Sequence, residues 1–286
     1  MNIEELFSGV GLVIDDKVNV TNGEDRITKI VDLLENKNIP LIKRNSIPNQ
    51  EILEHCKNLN FILLDWELYS LTSEDGMPLP NSQVIEKENE NCIVDFLKKI
   101  LDKCFLPIFI FSNKAEESII NILKEKRVIK DNISRPIFVK SKSDIVIDNN
   151  VLVFQKIEEW INAMPSIYVL KEWDRAFLNA KTNLFKDLLA GDVHWPQVLW
   201  ETSALDGVNA NEELAQVLTQ NILARMQPVQ FEKDKIIKDN IQCETLKVQT
   251  ILKAQRFTEN IDIESSNTGD FFDINGQCKI NIRPAC

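Results

Sequence analysis

Phe61-Ile62-Leu63-Leu64-Asp65 is a run of four large apolar residues that ends in one carboxylate, and three further runs share its form. Gly11-Leu12-Val13-Ile14 leads into Asp15-Asp16, Phe109-Ile110-Phe111 into Ser112, and Pro136-Ile137-Phe138-Val139 into Lys140. Short continuous apolar runs separated by helical patterns read as strands buried on both faces, which is the pattern of a parallel sheet with crossover helices. In an open sheet of that kind the carboxyl ends of the strands line the ligand crevice. An acidic pair, a lone carboxylate, a hydroxyl and an ammonium are therefore expected along one edge.

Working outward, strands are predicted near 9–14, 39–43, 60–64, 107–111 and 136–140, the second being short and ending in Lys43-Arg44. Ile27, Ile30, Val31 and Leu34 fall at helical spacing after Asp25-Arg26, and similar patterns predict helices at 49–57 after Pro48, at 91–103 and at 115–126. The order is βαβαβαβαβ. Between them, residues 72–91 are polar, with Pro78, Pro80 and an almost wholly charged or amide stretch from Glu86 to Asn91. They read as a long loop directly after the Asp65 strand, and loops of that length are lids and binding elements or are disordered.

Beyond Lys140 the pattern becomes helical. Residues 151–190 carry Phe154, Ile157, Trp160, Ile161, Trp173, Phe177, Leu184 and Leu188, with a break at Pro165 and a stop at Gly191. A second helical region spans 196–226, with Asn209 as a cap, and a third is predicted at 235–257. Asn275-Gly276, flanked by Asp270-Phe271-Phe272-Asp273-Ile274 and Gln277-Cys278-Lys279-Ile280-Asn281-Ile282, is a hairpin signal. Three divisions are expected: 1–148, a helical domain at 149–260, and a β-hairpin at 261–286 that reads as the start of a truncated β domain.

The chain has 286 residues and a formal charge of −11. That excess of acid argues against nonspecific nucleic-acid binding, which depends on Lys and Arg neutralising phosphates. No apolar stretch approaches a membrane span, the first residues lack the marks of a secretory signal, and the six cysteines (Cys56, Cys92, Cys104, Cys243, Cys278, Cys286) form no CxxC pair. A cytoplasmic protein with reduced thiols is expected. His194 and the tryptophans Trp160, Trp173, Trp195 and Trp200 read as structural residues of the helical part. Cys278 and Cys286 would ligate zinc only if more cysteines followed.

The four strand ends suit one chemistry. Forming an aspartyl phosphate needs an ionised carboxylate as nucleophile and neutralisation of the charge that develops on the phosphoryl group. Asp65 takes the role of nucleophile and phosphoacceptor. Asp15 and Asp16, with Asp65, would hold Mg²⁺, a hard cation that prefers carboxylates, and the peptide carbonyl of Glu67 would complete its shell. Ser112 would hydrogen-bond a phosphoryl oxygen and Lys140 would supply a point charge to it. Taken singly these residues have plainer readings, with Ser112 as a helix cap and Lys140 as a solvated charge; the ordered set of four carries the argument.

That set resembles the receiver domain of two-component response regulators over about residues 9–145. In that family an acidic pair ends the first strand, the phosphorylated Asp the third, a Ser or Thr the fourth and a Lys the fifth. The resemblance implies a flavodoxin-like α/β fold, a doubly wound parallel five-stranded sheet of order 2-1-3-4-5. It implies a histidine kinase or kinase-like sensor as phosphoryl donor and a downstream protein effector; a homodimer is a separate expectation that the sequence does not decide. The family's aromatic switch position and its proline after the Lys are Ile137 and Ser141 here, and Asn113 stands where a small residue is usual. Trp173, Gly191-Asp192, Trp195-Pro196 and the segment from Gly269-Asp270 to Arg283-Pro284 resemble the large atypical receiver proteins of bacterial phage-defence operons of the Detocs type. There a stand-alone receiver acts as a phosphate buffer. The chain is thus read as a signalling protein and not as an enzyme; a haloacid-dehalogenase-type phosphatase would need Asp-x-Asp on the first strand, where Asp15-Asp16-Lys17-Val18 stands. The alternative is a pseudo-receiver, an unphosphorylated interaction scaffold whose 72–91 loop closes the pocket.

Overall fold

Five strands, β1 (Val10–Ile14), β2 (Leu41–Arg44), β3 (Leu59–Asp65), β4 (Ile108–Ser112) and β5 (Ile137–Ser141), form an all-parallel sheet of order β2-β1-β3-β4-β5. This is the flavodoxin-like topology. The structure, a computed structural model, describes residues 9–18, 25–49, 56–68, 82–130, 136–147, 150–227, 229–237, 248, 251, 271–274 and 277–280.

Strict alternation along the strands builds two separate cores. Val13, Phe61, Leu63, Phe109, Phe111 and Phe138 point to one face, where they meet helix α1 (Arg26–Asn36) through Ile27, Ile30, Val31 and Leu34. Leu12, Ile14, Ile62, Leu64, Ile108 and Ile110 point to the other face. There they pack on α2 (Ser82–Lys103) through Ile93, Phe96, Leu97 and Ile100, and on α3 (Glu116–Glu125) through Ile119 and Leu123. Helices on both faces explain why the central strands β1, β3 and β4 carry continuous apolar runs rather than alternating with polar residues. Gly11 has a packing reason: a Cβ there would lie 2.2 Å from Cζ of Phe61, its register partner on β3, so the ring occupies the space a side chain would fill.

Helix α2 corrects the sequence reading. It begins at Ser82, so residues 82–91 are helix and not loop, while 72–81 lie outside the described residues. Glu and Lys are good helix formers, and the charged stretch is tied down on two sides. Asn89 is buried and donates its Nδ2 to the Trp66 carbonyl at 2.8 Å, and Lys114, just past β4, pairs with Glu86 and with Glu90, one turn apart. The helix expected at 49–57 falls almost entirely outside the described residues; Cys56–Asn58 is a single 3₁₀ turn.

The layer on the α1 face continues past residue 148. Helix α4 (Val153–Ala163) packs Val153, Ile157 and Ile161 into the α1-side core, and Trp160 meets Phe109 and Phe138 at ring-centroid distances of 5.6 and 5.5 Å. Its apolar spacing was legible, but its place in the sheet's own core was not. Pro165 then opens the long helix α5 (Pro165–Gly191), where a missing N–H costs nothing. Near its start Tyr168 is buried in the same core, and Lys171 donates to the side chain of Asn60 at the beginning of β3.

Helices α6 (Trp195–Leu205) and α7 (Ala210–Met226) follow, with Gly207 in the left-handed conformation (φ 72°) closing α6 and Asn209 accepting from the Asn211 N–H to cap α7. Helix α7 packs along α5 and α6, and Arg225 pairs with Asp187. Apolar side chains here are largely uncovered: Leu178, Phe185 and Leu189 of α5 are half exposed or more. The chain divides into two units, Met1–Ile237 and Lys238–Cys286. In the second, strands β6 (Phe271–Ile274) and β7 (Gln277–Ile280) pair antiparallel, Ile274 opposite Gln277; the turn between them and most of the helix expected at 235–257 lie outside the described residues.

Candidate functional site

The register of the sheet brings the strand ends level. Ile14 pairs with Leu64, Asp65 with Phe111, and Ser112 with Ser141, so Asp15, Asp65, Ser112 and residue 142 emerge at the same edge. Asp15, Asp16 and Asp65 each offer a carboxylate oxygen, and these oxygens lie within 4.8 Å of one another. Asp15 and Asp65 are buried and Asp16 is half-buried.

Each buried carboxylate is held twice. Asp15 accepts from the Lys17 N–H at 2.9 Å and Asp65 from the Glu67 N–H at 3.1 Å, both through Oδ1. Their Oδ2 atoms share one ammonium, Lys142 Nζ, at 2.9 Å from Asp15 and 2.8 Å from Asp65. Burial raises the Asp65 carboxyl to about 7, ahead of the lowering pull of Lys142 and the further rise from Asp15. Burial also raises Asp16, with the Asp15 charge adding to it. For Lys142 burial alone would lower the pKa, but the charges of Asp65 and Asp15 outweigh it and the ammonium is held above its ordinary value. Three acids converging at one edge, two of them buried, with Lys142 between those two, form the electrostatic setting expected of a cation site.

The lysine is the main difference from the sequence reading. Lys140, expected to reach the phosphoryl position, turns to Glu116 in the first turn of α3, with Nζ–O distances of 2.8 and 2.9 Å. Lys142 takes the place between the carboxylates. β5 runs to Ser141, one residue beyond the predicted end, so the first side chain past the strand is 142. A continuous Lys140-Ser141-Lys142 run carries no mark of where the strand stops; the Glu116 partner that captures Lys140 comes from another element.

Ser112 is wholly buried at the end of β4, as expected. It does not cap α3, whose cap position is Ala115. Its Oγ accepts from the Lys114 N–H at 3.0 Å and donates to Glu67 Oε2 at 3.4 Å, and the same Oε2 accepts from the Asn113 N–H at 3.2 Å. Glu67 entered the sequence reading through its peptide carbonyl; its side chain, reaching across to β4, was not anticipated. Asn113 Oδ1 accepts from Arg26 on α1 at 3.3 Å.

Trp66, next to Asp65, is completely buried. Its indole Nε1 and the Asn89 Oδ1 have no hydrogen-bond partner among the described residues, although Asn89 holds the Trp66 carbonyl. No protein-family model matches the chain, and no curated protein matches it either.

Proposed function

We propose that the chain is a phosphoacceptor receiver in which Asp65 takes a phosphoryl group from a kinase. The observation that carries this reading is the Asp15–Asp16–Asp65 cluster, with Asp15 and Asp65 buried, at the carboxyl edge of a 2-1-3-4-5 sheet. Asp65 Oδ attacks phosphorus, and the new O–P bond forms as the bond to the donor's leaving group breaks and its electron pair departs with that group. Ser112 and the Asn113 amide supply donors for a phosphoryl oxygen, and Lys142 supplies the positive charge that Lys140 was expected to give.

The donor set suits Mg²⁺. Three carboxylates converge, and burial drives Asp65 toward its neutral form, a cost that a second positive charge would offset. Asp15, Asp16 and Asp65 would hold the ion, with the Glu67 carbonyl as a further ligand, and the bound ion would neutralise charge on the transferring group. The proposed partners are a histidine kinase or kinase-like sensor and a protein effector, with buffering of phosphate in a phage-defence setting as the extension of the Detocs resemblance.

One observation favours a second reading, the unphosphorylated scaffold. All the carboxylate oxygens of Asp15 and Asp65 already have donors within the chain, and Lys142 neutralises part of their charge. Residues 69–81, from which a closing loop would come, lie outside the described residues. Incubation with acetyl phosphate and Mg²⁺ followed by intact mass separates the two. The receiver reading expects one added phosphoryl group that is absent without metal and in Asp65→Asn; no adduct, together with no detectable Mg²⁺ binding, leaves the scaffold.

A further inference from the structure

Glu67 folds back from the end of β3 onto the end of β4, and its carboxylate takes the two donors that a phosphoryl oxygen on Asp65 would need, the Ser112 hydroxyl and the Asn113 N–H. Resting on the phosphoacceptor reading, we propose that Glu67 is an internal gate: its carboxylate occupies the phosphoryl-oxygen cradle in the unmodified protein and must leave it before transfer.

Three features of the surroundings support the assignment. The Ser112 oxygen already accepts from the Lys114 N–H, and a hydroxyl has a single proton to give, so that proton is directed at Glu67. The Asn113 side chain is drawn aside by Arg26, which leaves its backbone N–H as the group facing the cradle. The backbone at Glu67 is fixed by its own N–H on Asp65 Oδ1 at 3.1 Å, so the arm swings from an anchored pivot and can leave by side-chain rotation alone. A carboxylate is also the protein group nearest in charge and shape to a pair of phosphoryl oxygens, and its hydrogen bonds from N–H and O–H donors are strengthened by that charge.

The gate makes Glu67 a determinant of rate. While it occupies the cradle it competes with an incoming phosphoryl group for both donors and adds a negative charge where another is arriving. A donor kinase that binds across this edge would speed transfer by drawing Glu67 out.

The test compares wild type, Glu67→Ala and Glu67→Gln in acetyl phosphate and Mg²⁺, with intact mass followed over time. Alongside, the ¹⁵N–¹H resonance of Asn113 is followed while inorganic phosphate is titrated into each protein. The gate predicts labelling of Glu67→Ala about tenfold faster than wild type, the scale of losing one charged hydrogen-bond competitor, with Glu67→Gln between them. The difference persists at high salt, whereas a mere change of charge at a distance is screened away. The Asn113 resonance then shifts at lower phosphate concentration in Glu67→Ala than in wild type. Wild-type labelling with Glu67→Ala no faster overturns the gate and leaves the phosphoacceptor reading intact. If no protein is labelled but the Asn113 response still appears earlier in Glu67→Ala, the cradle is an anion site covered by Glu67 and the phosphoacceptor reading fails alone. An Asn113 resonance indifferent to phosphate in all three, with no labelling, overturns both.

Discussion

Lys142 holds together two carboxylates that would otherwise repel each other in a place with little water, and its removal should expose that dependence. Breaking a buried charge group by deleting one partner costs about 3 kcal/mol or more. In the presence of a chelator, Lys142→Ala is expected to lose stability on that scale in urea unfolding, and added Mg²⁺ should restore part of it. Lys140→Ala, which removes a part-exposed pair with Glu116, should stay within about 1 kcal/mol of wild type. Equal losses in the two variants would show that Lys142 is not the cation on which the site depends. The same cluster fixes a pH response. Asp65 binds its proton up to about pH 7 in the folded chain, against an ordinary value of 3.8. The folded state therefore holds a proton that the unfolded state has released, and this contribution to stability is complete at low pH and is lost as pH rises through 7. Metal-free protein should show an unfolding midpoint that falls between about pH 4 and pH 7, and Asp65→Asn should flatten that slope. At this scale the sequence showed that Asp15, Asp65 and Ser112 lie at strand ends but not where β5 stops, nor which of two lysines, Lys140 or Lys142, turns inward. That choice depends on Glu116, a partner brought near by the fold and not by the chain.

The elements were legible where periodicity and burial agree. All five strands, α1 and α3 lie within a few residues of their expected places, because buried parallel strands and amphipathic helices leave distinct patterns in the chain. Helix α2 shows the opposite case. Its first three turns carry Glu86 to Asn91, which read as loop because they lack an apolar face; their partners are Lys114 and the Trp66 carbonyl, polar contacts that no hydrophobic pattern records. Gly11 provides the test of strand packing. Its Cβ position is filled by the Phe61 ring, so Gly11→Ala should overpack the β1–β3 contact and cost about 2 kcal/mol, read as a lower urea midpoint at unchanged slope. A neutral result would mean that Phe61 has another rotamer to move into.

Across the whole molecule burial is uneven. Among the described residues the sheet and its flanking helices contribute nearly all of the wholly buried side chains, whereas α6 buries Ser203 alone and α7 only Ala210 and Met226. Amide hydrogen exchange should follow that division, slowest in β1, β3 and β4 and fastest in α6 and α7, because opening those helices exposes little apolar surface. Uniform protection across both regions would show that α6 and α7 are held by contacts that their burial does not reveal. The helical region was legible as helix but not as arrangement: Trp160 and Trp173 share the same sequence character, yet one closes the core of the sheet and the other remains 46% exposed. The burial of Trp66 has a practical meaning of its own. Among the tryptophans it is the one with no solvent exposure, its indole N–H meets no acceptor among the described residues, and it follows Asp65 directly in the chain. Its fluorescence should lie at the blue end of the protein's emission and survive a dissolved quencher that extinguishes Trp173 and Trp200. The protein thus carries its own optical probe one peptide bond from the carboxylate of interest, and events at that carboxylate can be followed in real time without a label.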